Sequence, residues 1–383
     1  MDALGVPEGT DLRSLTDDAV AWASQHGLVY GYGGGKCAVA LVHAPVAVLP
    51  TPFPRASFEK AQRAMQAFNL VTDRITRDPT YLQQTLASAA ALDKFTANLL
   101  RIHDKNLELR QSRQEQQVVL AINRSDYMMD EPSNRLLQVE MNTIASSFGA
   151  LSTLVSRMHR YLFDRAGIPY DDTKLPPNDV ISAIADAMAA AVKAHGSRDS
   201  VMVMIVQPGE KNSFDQQWIQ LALWERHGIR TLRRSLSQIR QHAQLDDASG
   251  RLTVDGKEVA LAYFRAGYSP DDYPSEAEWE ARDMLEQSTA ALCPSVAYQL
   301  AGAKKVQQDL ASTDVLQRFL GDQSDVELLQ DCFAGLWGLD NLEQEQTKAI
   351  LQEAQEHPEA FVLKPQREGG GNNLRADTLY APR

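Results

Sequence analysis

Apolar positions recur with helical spacing over long tracts of this chain and give way at a few points to short apolar runs that end in charged residues. Leu12 to Gly27 predicts a helix, and the glycine-rich GYGGGK from Gly31 to Lys36 predicts a turn after it. Ala38 to Leu49 reads as a strand closed by the prolines at 50, 52 and 54. Ala56 to about Arg110 reads as two or three helices, broken near Arg77 to Thr80 and Ala91 to Lys94. Gln117 to Ile122 is a continuous apolar run of buried-strand type that ends at Asn123 and Arg124. In LLQVEMN a period of two sets Val139 and Met141 on one face and Glu140 and Asn142 on the other. A polar turn, a helix from Leu151 to Gly167, a linker from Ile168 to Asp179 and a helix up to His195 follow.

Past that point the pattern becomes βαβ. Val201 to Val206 is an apolar strand, Gln207 to Asn212 a loop, Phe214 to Gly228 a helix, and Ile229 to Leu232 the start of another strand. Ser213 with Gln216 predicts a capping box, with Trp218, Leu221 and Trp224 facing inward. Asp255 and Gly256 predict a hairpin turn, and Val259 to Phe264 a strand that delivers Arg265, Gly267 and Tyr268. Trp279 to Leu292 reads as helix, Gly302 precedes a helix bearing Lys304 and Lys305, and Asp314 to Glu359 is mainly helical. Phe361 to Leu363 forms a last strand-like run, ended by Lys364 and Pro365.

Loops at the carboxyl ends of strands are where α/β sheets bind ligands, so the charged residues there are the candidate chemistry. Arg124 and Arg265 are placed to clamp a carboxylate, and Glu210, Lys211 and Asn212 are ligand candidates; surface salt bridges and an ordinary charged loop fit the same positions. In FVLKPQREGGGNN, Gly369, Gly370 and Gly371 permit backbone N–H groups to cradle a phosphate, and Glu368 beside them calls for a hard cation such as magnesium. A polar hairpin tip has the same composition. Glu140 and Asn142 supply two more oxygen ligands, unless their side is a solvated strand face. GYGGGK is not a Walker loop: Tyr30 stands where its first glycine belongs, and Cys37 replaces the Ser or Thr.

A net charge of −12 argues against nucleic acid or an anionic membrane surface as partner, and no run is long and apolar enough to span a bilayer. Three widely spaced cysteines, Cys37, Cys293 and Cys332, suit a reducing compartment, so the reading is cytoplasmic. No histidine falls in a zinc-ligand spacing or beside a nucleophile motif.

Several stretches together resemble eukaryotic-type glutathione synthetase, an ATP-grasp ligase: NRSDY at Asn123, VEMNTIASSFGAL at Val139, KNSFDQ at Lys211, YFRAGY at Tyr263, CPSVAYQLAGAKKVQQDL at Cys293 and FVLKPQREGGGNNL at Phe361. The resemblance implies an α/β (α+β) ATP-grasp fold with an inserted Rossmann-like substrate domain. It divides the chain into 1–197, 198–303 and 304–383. It implies γ-glutamylcysteine contacts at Arg124, Ser147, Glu210, Lys211, Asn212, Gln216, Arg265 and Tyr268. Ser146 stands beside Ala145, where the family has a serine, and is the candidate replacement. Magnesium ligands are implied at Glu140, Asn142 and Glu368. ATP contacts are implied at Glu140, at Lys304 and along the loop Lys364, Pro365, Gln366, Arg367, Glu368, Gly369, Gly370, Gly371, Asn372 and Asn373. Arg124 and Lys364 carry the catalytic roles. The implied reaction joins glycine to γ-glutamylcysteine with ATP through an acyl phosphate, in a homodimer. After Leu374 the resemblance stops, whereas the family continues with more sheet and a lid that selects among glycine, β-alanine and serine. The expectation is a C-terminally truncated form with weak or no activity unaided, the alternative being a form that binds dipeptide and metal or pairs with full-length subunits without turnover.

Overall fold

Aspartates decide where the long N-terminal helical tract breaks. The structure, a computed structural model, describes residues 6–33, 40–112, 118–197, 199–366 and 373–374. Asp11 accepts from the backbone N–H groups of Arg13 and Ser14 and starts α1 (Leu12–Gln25). After β1 (Val29–Tyr32) and β2 (Ala40–His43) comes α2 (Arg55–Thr76). Asp78, followed by Pro79 in the first turn, starts α3 (Pro79–Leu92), and Asp93 caps α4 (Lys94–Lys105). A short α5 (Leu107–Ser112) completes the tract, so both predicted breaks hold while the number of helices is larger. Gly31 and Tyr32, expected in a turn, extend β1, which pairs antiparallel with β2. Pro45 stops β2 well short of Leu49.

Val118 to Ile122 is not a strand. It touches the main sheet at one parallel bridge, Val119 to Leu292, and Val119 is half exposed. The strand begins where that run ends, as β3 (Arg124–Asp130), antiparallel to β4 (Arg135–Asn142). Next come α6 (Gly149–Ala166) and α7 (Val180–His195).

The main sheet is built by β5 (Val201–Ile205), β6 (Thr231–Arg234), β7 (Ala243–Leu245), β8 (Leu252–Val254), β9 (Lys257–Phe264) and β10 (Ala291–Cys293). Strands β6, β5, β9 and β10 run parallel. The start of β9 turns back on β8 through the predicted Asp255–Gly256 hairpin, where both residues have positive φ. All five residues of β5 are buried because both faces are covered. Met202 and Met204 pack with α1, α6, α7 and α8 (Ser213–His227). Val203 and Ile205 enter a second core with α2, α3, α4, α9 (Leu236–His242) and α10 (Glu276–Gln287). The α10 helix stops at Gln287, and β10 occupies part of what reads as helix in the sequence.

Residues 213–228 also depart from expectation. Ser213 is the first residue of α8, Asn212 is its N-cap without a side-chain bond, and no capping box forms. The buried face carries Asp215, Gln216, Ile219, Ala222 and Leu223, while Leu221 and Trp224 are exposed. Two polar residues face inward because they have buried partners. Asp215 Oδ1 and Oδ2 accept from the backbone of Phe148, Ala150 and Leu151 at 3.0–3.3 Å, capping α6 from another helix, and Oδ2 lies 2.9 Å from Arg265 Nη1.

The chain closes with α11 (Val296–Ala301), α12 (Lys304–Asp309), α13 (Thr313–Phe319), α14 (Gln323–Gln330) and α15 (Glu345–Glu356). Phe361 to Leu363 does not form a strand; Leu363 and Leu374 make a single antiparallel bridge. Gly302 sits against Thr143, where an added Cβ would fall 2.2 Å from Oγ1.

Gly302→Ala is therefore expected to lose about 1–3 kcal/mol in urea unfolding, with part recovered by adding Thr143→Ala. Asp215→Ala, which strands a buried arginine and three backbone donors, is expected to cost about 3–5 kcal/mol in the same measurement.

Candidate active site

Antiparallel register sets Arg124 opposite Asn142 and Asp126 opposite Glu140, so four polar side chains share one face of the β3–β4 hairpin. Arg124 grips Asp126 with two prongs, Nε to Oδ1 at 2.7 Å and Nη2 to Oδ2 at 2.9 Å. The Asn142 amide donates to Asp126 Oδ2 and to Glu140 Oε1, each at 3.3 Å. Glu140 and Asn142 are each 5% exposed, so the face is not a solvated one. The sequence reading omitted Asp126; the alternation of Arg124, Asp126 and Met128 along β3 was the available signal.

A buried carboxylate needs a cation. Lys304, at the start of α12, places Nζ 2.8 Å from Glu140 Oε2. Burial pushes the Glu140 carboxyl up, but the Lys304 hydrogen bond and charge, the Asn142 amide and the field of Lys364 together hold it below its ordinary value. Lys364 arrives from the stretch after α15 and donates to Val139 O at 2.6 Å. Burial, then repulsion from Lys304, pushes its ammonium down, with Glu140 opposing. The Gln366 side chain accepts from Lys305 N at 3.1 Å, tying the Lys364 segment to α12. Pro365 is exposed and Asn373 partly buried. Arg367, Glu368, Gly369, Gly370, Gly371 and Asn372 lie outside the described residues.

A second group gathers at the carboxyl ends of β5 and β9. Arg265 is 3% exposed, and its Nε meets no hydrogen-bond acceptor among the described residues. Asn212, also buried, leaves Oδ1 equally unmatched. Glu210 accepts from Asn212 N at 2.7 Å and from Gln216 Nε2 at 3.4 Å, and Gln216 accepts from Arg233 at 2.6 Å. Burial and the neighbouring Arg265 charge lower the Arg233 pKa, and Glu210 opposes them. Tyr268 OH accepts from Gln207 at 3.2 Å, while burial raises its pKa. Lys211 turns away, its Nζ donating to Gly33 O at 3.0 Å. The Ser146 hydroxyl faces two backbone acceptors, Ile122 O and Asn142 O, at 3.1 Å each.

The turn between β4 and α6 joins the two groups. Ser147 O accepts from Arg124 Nη1 at 3.4 Å, and the next residue, Phe148, donates to Asp215, the partner of Arg265. Ala145 and Phe148 both hold φ in the left-handed region, at 51° and 68°, a strained backbone of the kind found at functional sites. Tyr268, Lys304 and Gln366 line one small cavity of about 40 Å³ together with Gln299 and Phe95. Two arginines, two lysines and the oxygen-bearing side chains of Glu140 and Asn142 are thus linked through this turn and the β3–β4 hairpin. The described residues contain no cluster of three or more His, Cys, Asp or Glu arranged as a metal site. Cys293 and Cys332 are buried free thiols, and no helix among the described residues is long and apolar enough to cross a membrane.

Residues 9–381 match the family model described as eukaryotic glutathione synthase, ATP binding domain. The chain is 44% identical over 375 residues to a chloroplastic glutathione synthetase of Solanum lycopersicum, covering 96% of this chain and 67% of the relative. With the glutathione synthetase of Homo sapiens it shares 40% identity over 341 residues, 88% of this chain and 70% of that one. A glutathione synthetase-like effector from Globodera pallida, in its apo form, superimposes with a TM-score of 0.73 at 20% identity, covering 98% of this chain and 78% of that one, a likeness of fold. With the family model matched over residues 9–381 and relatives 40–44% identical over most of their length, the chain belongs to the eukaryotic glutathione synthase family.

Proposed function

We propose that this chain catalyses the ATP-dependent ligation of glycine to γ-glutamylcysteine. The observation that carries the reading is the hydrogen-bonded run Arg124–Asp126–Asn142–Glu140–Lys304, buried at Asn142 and Glu140, with Lys364 beside it, in a chain of this family. Arg265, with an unmatched donor, and Asn212, with an unmatched acceptor, fit the carboxylate and ammonium of an amino-acid end group such as the γ-glutamyl moiety. Glu210 adds the negative charge an ammonium requires.

In the proposed reaction the cysteinyl carboxylate of the dipeptide attacks the γ-phosphorus of ATP, and ADP leaves. The acyl phosphate then accepts the glycine amine at its carbonyl carbon, releasing inorganic phosphate, and the nitrogen loses its extra proton. Phosphoryl transfer of this kind depends on placement and charge neutralisation more than on a nucleophilic side chain. Arg124 orients the attacking carboxylate, exchanging its grip on Asp126 for one on the substrate. Lys304 and Lys364 meet the phosphate oxygens. The Glu140 carboxylate and the Asn142 amide oxygen suit magnesium by donor type, and the Lys304 ammonium held against Glu140 supports that reading. Magnesium bound there would neutralise charge on the transferring phosphate. Glu368 and the glycines after it belong to the same proposal, as do the division of the chain at 197/198 and 303/304, the homodimer and the cytosolic setting.

Purified chain incubated with ATP, magnesium, γ-glutamylcysteine and glycine is expected to release ADP and form glutathione, identified by mass; absence of both products, with intact folding, would sink the reading. Arg124→Ala is expected to weaken dipeptide binding by about 1.5–3 kcal/mol, one charge-assisted contact, leaving the nucleotide constant unchanged. Glu140→Gln is expected to do the opposite, lowering turnover on the order of 100-fold and raising the magnesium requirement, with dipeptide affinity preserved.

A further inference from the structure

The Glu140–Lys304 contact joins a strand end to a helix more than a hundred and fifty residues away in sequence, and under the proposed function that contact has to open, Glu140 toward a cation and Lys304 toward phosphate. Something other than the ion pair must then keep the strand and helix in register. We propose that Gln307 is this positioning residue.

Its side-chain amide pairs with the backbone of Met141 as a neighbouring strand would. Met141 N donates to Oε1 at 3.1 Å, and Nε2 donates to Met141 O at 2.9 Å. Nε2 also donates to Gly302 O at 2.8 Å, so one amide holds both the strand and the turn that leads into α12. Met141 lies between Glu140 and Asn142, and Gln307 lies one helical turn after Lys304, on the same side of α12. Fixing Gln307 to Met141 therefore fixes Lys304 to Glu140. Gln307 is 8% exposed, and these bonds are little shared with water. They are also between uncharged groups, so exchange of partners at Glu140 leaves them intact. Glutamine suits this position because asparagine is one methylene shorter and glutamate cannot donate to the two carbonyls. Gly302 against Thr143 and Lys304 against Glu140 also meet along this seam, and neither reads the strand backbone as Gln307 does.

The inference rests on the proposed nucleotide site, and the test separates the two. Magnesium-ADP and γ-glutamylcysteine are titrated separately, by calorimetry, into the full chain and its variants. Gln307→Leu is expected to weaken magnesium-ADP by tenfold or more and to keep dipeptide affinity within twofold. Gln307→Glu, which retains only the bond from Met141 N, falls between, and decides the matter if the leucine variant loses its cooperative thermal transition. Gln308→Leu, on the neighbouring position, leaves both affinities unchanged. Equal magnesium-ADP affinity in the parent chain and in folded Gln307 variants overturns the positioning role alone, as does a parallel loss of both ligands. Failure of the parent chain to bind magnesium-ADP overturns the proposed nucleotide site, and the role of Gln307 with it.

Discussion

A carboxylate buried at the end of a strand cannot stay ionised without a cation close by, and Glu140 makes that demand on much of this molecule. Lys304 answers it from α12 and Lys364 from the stretch after α15, so three distant parts of the chain converge on one oxygen-bearing face. Burial lowers the Lys364 pKa, and repulsion from the neighbouring Lys304 adds to it. Under the proposed function a polyanionic ligand relieves that repulsion and a cation takes over Glu140, with the hydrogen-bonded backbone of β3 and β4 as the fixed frame.

Asp215 plays the corresponding part beside the carboxyl ends of β5 and β9. It is wholly buried on α8, terminates α6 and pairs with Arg265. The turn bearing Ser146 and Ser147 is held between Arg124 and Asp215, which sustains the left-handed backbone of Ala145 and Phe148. Strain of this sort persists only where the surroundings over-determine it.

The main sheet was legible because both of its faces are covered. Uninterrupted apolar runs such as Val201 to Ile205 and Val259 to Phe264 have few other uses in a chain of this size, and the Asp255–Gly256 turn fixes where β9 begins. The misread segments share a cause. Val118 to Ile122 and Phe361 to Leu363 have strand composition, but each meets only a single bridging partner among the described residues, and a strand exists only where a neighbour supplies the ladder. The face of α8 was misassigned because an apolar stripe is a poor guide where buried charge has partners: Trp224 lies outside while Asp215 lies inside.

By itself the sequence determined the local chemistry of the site: the two-residue period that aligns Glu140 with Asn142, the arginines where strands begin or end, and lysines placed beside glycines. Those follow from spacing along one backbone. Which cation faces which carboxylate was decided by tertiary structure, because Lys304 and Lys364 come to Glu140 across long stretches of chain. The same holds for Asp126, whose role depends on antiparallel register, and for Gln307, whose amide finds the backbone of a strand that nothing in its own neighbourhood announces.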